Sequence, residues 1–69
     1  MKYPKIEAER ARLGMNRTNF AKSLNVSRET YQNWQCGRTE IPCSKIIAMT
    51  EIFHVSSDYL LGISNAKPA

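Results

Sequence analysis

The chain is short of the residues that build metal centres and disulfide frameworks. Its 69 residues hold two cysteines and one histidine. Cys36, Cys43 and His54 are one ligand short of a tetrahedral zinc site, and their spacing matches no zinc finger. The two thiols read as unrelated and reduced. Long apolar runs are missing too, since none approaches the ~20 residues of a membrane span. The opening MKYPKIEAERAR lacks the apolar stretch of a secretory signal. The expectation is a soluble cytoplasmic protein with no membrane partner. Gly-rich phosphate loops and paired carboxylate motifs are absent, and the lone histidine sits apart in sequence from both cysteines. These gaps speak against an enzyme. No cofactor and no small-molecule ligand are expected, because one short domain has no room for a deep cleft beside a sensing domain. No segment alternates with period two for long enough to make a strand.

What the chain does have is helix-forming sequence and positive charge. Hydrophobic residues make up 42%, enough for a core and too many for a disordered chain. Ten Lys+Arg face six Asp+Glu, giving a net charge of +4 and a pI near 9.4. The excess is lopsided. Residues 1–38 carry eight basic side chains (Lys2, Lys5, Arg10, Arg12, Arg17, Lys22, Arg28 and Arg38) against Glu7, Glu9 and Glu29. Residues 39–69 carry Lys45 and Lys67 against Glu40, Glu51 and Asp58. The first half is therefore the half suited to a polyanion.

The punctuation predicts an all-α chain of short helices. Pro4 suits a first helical position, and residues 5–13 are good helix formers with Ile6 and Leu13 on one face. Gly14 offers a terminus. Asn16 can cap a second helix over 16–24, whose apolar face is Phe20, Ala21 and Leu24. Asn25 tolerates the left-handed backbone that ends it. Val26 is placed to pin the turn to the core. Ser27 caps a third helix over about 28–36, in which Tyr31 and Trp34 point one way while Arg28, Gln32 and Asn33 point another. Gly37 ends it, RTEIP makes a loop, and Pro42 can open a fourth helix over 43–53. There Ile46, Ile47, Met49, Ile52 and Phe53 make a wide apolar face. His54 fits a left-handed helix end. Ser56 caps a last short helix with Tyr59, Leu60 and Leu61, stopped by Gly62. Residues 1–62 read as the domain and 63–69 as a polar tail that frays.

Two short helices joined by Asn25, Val26 and Ser27, with a small residue at Ala21 and apolar anchors at Tyr31 and Trp34, have the arrangement of a helix-turn-helix. In such a motif the first helix braces on the phosphate backbone. The second keeps one face in the core and offers the other to a major groove about 12 Å wide. The run MNRTNFAKSLNVSRETYQNWQCGRTEIP resembles the helix-turn-helix of the lambda-repressor-like, Cro/XRE type. The later IIAMTEIFHVSSDYLLG is similar to that family's fourth and fifth helices, and the resemblance covers roughly residues 5–62. It implies a compact five-helix domain. It also implies sequence-specific binding to a double-stranded DNA operator, usually as a homodimer, in a transcriptional regulator, most often a repressor, of phage or bacterial type.

Under that resemblance the site residues follow position by position. Asn16 and Arg17 match phosphate contacts at the start of the second helix. Ser27, Arg28, Glu29 and Asn33 match positions that approach bases or the adjacent phosphates. Arg28 suits guanine, Asn33 adenine, and Glu29 the amino group of cytosine. Glu29 has a second reading, as an acid that favours a helix start. Gln32 lies on the flank of the reading face. Arg38 and Thr39 match phosphate contacts in the following loop. Arg10 matches a position that pairs with an acid in some members. In this chain the matching partner is the neutral Gln35, which leaves Arg10 either free for phosphate or bonded to Gln35. Trp34 shares the phase of Tyr31 and reads as core rather than as a base-stacking ring. Tyr59 and Leu60 read as core or as dimer surface. The alternative function is an antitoxin-like module that binds a protein partner as well as its own operator.

Overall fold

Local capping chemistry sets the helix boundaries. A computed structural model describes residues 1–63, in five helices with no strand among the described residues. They are α1 (Pro4–Arg12), α2 (Arg17–Ser23), α3 (Arg28–Gln35), α4 (Cys43–Phe53) and α5 (Ser57–Leu60). Pro4 opens α1, where its missing N–H costs nothing. Three other helices begin with the same device. The side-chain oxygens of Asn16, Ser27 and Ser56 accept from the backbone N–H three residues on, at 2.8, 3.1 and 3.1 Å. Each such cap contributes about 0.5–2 kcal/mol. Pro42 is the N-cap of α4, which spans Cys43–Phe53 as expected. Its carbonyl still accepts from Lys45 and Ile46. Asn25 and His54 end α2 and α4 with positive φ of 59° and 56°, as their positions predict. The expected fraying tail lies outside the described residues from position 64 onward. No described helix is long and apolar enough to cross a membrane.

Phe20 ties three helices together. Its ring meets Tyr31 of α3 edge-on at 5.3 Å and stacks on Phe53 of α4 at 5.3 Å. Tyr31 in turn meets Trp34 edge-on at 6.3 Å. Ile6, Ala21, Leu24, Met49 and Leu60 fill in around these rings, and Val26 packs against them from the turn. Tyr59 and Leu60 are buried, which assigns them to this core.

Two expectations about the core do not hold. Leu13, the C-cap of α1, keeps helical backbone but is 41% exposed. Ile47 is 58% exposed. It lies two residues, or about 200° around the helix, from the buried Met49, so it falls on the outer side. The apolar face of α4 is narrower than its composition suggests, with Met49 and Phe53 at its centre.

Candidate nucleic-acid interface

The third helix separates its residues cleanly by face. Tyr31, Trp34 and Gln35 are buried, whereas Arg28, Glu29 and Gln32 are exposed and Asn33 is half-buried. These last four line one shallow depression with Cys36 and Arg38. Arg38 reaches it because the chain turns back at Gly37, where φ is +80°. Any side chain is strained at that angle. The carbonyl of Asn33 then accepts from both Arg38 N–H (2.9 Å) and Thr39 N–H (3.3 Å). That pair of bonds hooks the loop onto the end of α3.

A second depression adjoins the first. Arg10, Asn16, Arg17, Thr18 and Arg28 line it. Arg28 belongs to both, so the two form one continuous basic face. The expected base-reading residues Arg28, Glu29, Gln32 and Asn33 thus come together, and of the expected phosphate-binding residues Arg38 joins them while Arg10, Asn16 and Arg17 line the adjoining depression. Ser27 and Thr39 line neither depression. The Ser27 hydroxyl bonds the hydroxyl of Thr30 (2.9 Å) and caps α3, and Thr39 is exposed in the loop. Thr18 and Cys36 also line the face, although neither is among the expected site residues. The Cys36 thiol donates to the Asn33 carbonyl at 3.5 Å. Among the described residues no three His, Cys, Asp or Glu side chains cluster as a metal site.

Arg10 is neither free nor bonded to Gln35. Its Nε donates to Glu7 Oε2 at 2.7 Å, and a terminal nitrogen donates to the carbonyl of Met15. Glu7 lies one helical turn away, which makes it the nearer acceptor. The same carboxylate accepts from Arg17 Nε through Oε1 at 2.8 Å. Burial alone would raise the Glu7 pKa. The hydrogen bonds and charges of Arg17 and Arg10 outweigh it and hold the carboxyl below its ordinary value. Arg17 shifts upward in response, first through its hydrogen bond to Glu7 and then through that charge. The i, i+3 spacing of Glu7 and Arg10 is visible in the sequence, but the link to Arg17 is not.

Gln35 has a different task. Its Oε1 accepts from Tyr3 N–H at 2.9 Å, while Nε2 donates to the Tyr3 carbonyl (3.1 Å) and the Tyr31 hydroxyl (3.0 Å). Its backbone carbonyl accepts from Lys2 N–H at 2.6 Å. The segment before α1 is therefore strapped across the end of α3. Burial pushes the Tyr31 phenol up to about 12. The Gln35 hydrogen bond opposes that rise and the Glu7 charge adds to it.

The face therefore offers four arginines, one exposed acid at Glu29 and three amides, Asn16, Gln32 and Asn33, with the charge of Glu7 already engaged. Such a set can meet phosphates and base edges together. Compared with known proteins, the chain matches no family model, no curated protein and no solved structure.

Proposed function

We propose that the protein is a sequence-specific double-stranded DNA-binding regulator with a lambda-repressor-like, Cro/XRE-type helix-turn-helix, acting as a repressor in a bacterial or phage-infected cytoplasm. The observation that carries this reading is the outward polar face of α3. Arg28, Glu29, Gln32 and Asn33 stand on it beside Arg38, backed by the buried Tyr31 and Trp34. A helix with its apolar side locked in a core and its polar side open is the form that a major groove admits.

In this reading Arg28 and Asn33 supply the base contacts, through guanine O6/N7 and adenine N6/N7 respectively. Glu29 accepts from a cytosine amino group or repels phosphate at wrong sites. Gln32 works from the flank. Arg17, Arg38 and Arg10, with Asn16, Ser27 and Thr39, set the register on the backbone. One copy makes few base contacts, so the reading includes a homodimer on two half-sites about 34 Å apart. The longest dimension of the fold is 29 Å, so two copies fit side by side at that spacing.

Selection of bound duplexes from a random pool tests the proposal. The expected result is a recurring motif in two half-sites, with affinity that falls steeply as salt rises through counterion release. A bound pool indistinguishable from the input at moderate salt refutes sequence-specific recognition.

A further inference from the structure

We propose that Glu7 is a positioning residue for this interface. Its carboxylate grips Arg10 and Arg17 by their Nε atoms and presents the terminal nitrogens of Arg17 to a DNA phosphate. The inference rests on the DNA-binding reading above.

The geometry divides the labour of one carboxylate between two elements. Oε2 takes Arg10 from its own helix α1 at 2.7 Å, and Oε1 takes Arg17 from the first turn of α2 at 2.8 Å. Arg10 is further fixed by its bond to the Met15 carbonyl, in the turn that leads to α2. A guanidinium held at Nε keeps its two terminal amino groups. The Arg17 side chain, 45% exposed, lines the depression that runs on to Arg28. Glu7 itself is buried behind these arginines. The rotamer freedom of Arg17 is thus spent during folding rather than on binding, which is the gain that preorganisation brings to association.

Simple charge counting points the other way. Glu7 is an acid under a basic face, so Coulomb's law alone says that removing its charge tightens DNA binding. Glu7→Gln keeps the size of the side chain but offers one acceptor oxygen where there were two. Its amide N–H groups would face a guanidinium that is itself only a donor. At least one arginine is then released.

The test compares wild-type and Glu7→Gln protein on a mixed-sequence DNA duplex by fluorescence anisotropy across a salt series, with circular dichroism melts to establish folding. The expected outcome is binding about tenfold weaker, the loss of one charge-assisted contact, although net charge has risen by one. The slope of log K against log salt becomes shallower by about one. A folded Glu7→Gln protein that binds as tightly as wild type or more tightly, with unchanged slope, overturns the inference. Arg17→Lys keeps the inference testable if Glu7→Gln does not fold. Lysine retains the charge but not a guanidinium that can be gripped at one end and bond phosphate at the other. About tenfold weaker binding is again expected, and wild-type affinity overturns the inference. Wild-type protein that binds no duplex at low salt removes the DNA-binding reading itself, an outcome distinct from loss of the Glu7 effect alone.

Discussion

Replacing Gln35 by alanine isolates the strap between the first residues and α3. The substitution removes three side-chain hydrogen bonds, to Tyr3 N–H, the Tyr3 carbonyl and the Tyr31 hydroxyl. The Tyr3 groups are only part-buried and regain water, so each contributes a net ~0.5–1.5 kcal/mol. The Tyr31 hydroxyl belongs to a buried side chain. It keeps its side-chain hydrogen bond to Glu7, so loss of the Gln35 bond costs a further ~0.5–1.5 kcal/mol. The sum is about 1.5–4.5 kcal/mol, a large share of the ~3–10 kcal/mol that a chain of this size holds. Urea unfolding followed by circular dichroism measures it, and exchange of the Tyr3 amide reports release of the strap. A double-mutant cycle with Tyr31→Phe sharpens the test. Once the hydroxyl is gone, the Gln35→Ala change no longer breaks the bond to it, so the two losses should fall short of additive by about 0.5 kcal/mol or more. Strict additivity, or a Gln35→Ala loss under about 0.5 kcal/mol, refutes the assignment of the amide as a clamp.

Three further outcomes follow from the core and the proposed DNA-reading face. Asn33→Ala should relax base preference at one position of the selected site, at a cost of about 1–3 kcal/mol; an unchanged motif after re-selection means that another residue reads that base. Trp34→Ala should cost about 3–5 kcal/mol, seen as a loss of cooperative thermal unfolding; a folded variant that no longer binds DNA would move Trp34 to the DNA side. The Tyr31 phenol, at about 12 in the folded protein, titrates near 10 in an unfolded chain. Its stabilising share is therefore intact below pH 10 and fades as pH climbs through 12, by up to about 3 kcal/mol. Urea midpoints from pH 9 upward should show the decline, and Tyr31→Phe should flatten it; the same alkaline slope in both proteins rules out the Tyr31 phenol as its source.

Local chemistry was the legible part of this chain. Asn16, Ser27 and Ser56 cap helices because a short oxygen-bearing side chain reaches an amide three residues on, whatever surrounds it. Asn25 and His54 stop helices for equally local reasons. The shared face of Tyr31 and Trp34, three residues apart in α3, follows from helical phase. What escaped depends on elements far apart in sequence. Gln35 bonds Tyr3 across 32 positions, so no spacing rule announces the strap. Glu7 meets Arg17 only because α1 lies beside the start of α2. Leu13 looks like core by its spacing from Ile6, yet it stays outside. Within the candidate site, Cys36 and Thr18 were invisible because neither residue type signals an interface.

The loop carrying Arg38 is moored to the peptide oxygen of residue 33, not to the asparagine side chain. Every helix-compatible amino acid brings that same oxygen. A change of side chain at this place can therefore alter what α3 displays while the neighbouring arginine stays anchored. The two features are separately editable, which gives an evolving or engineered descendant a way to acquire a new preference without rebuilding its grip.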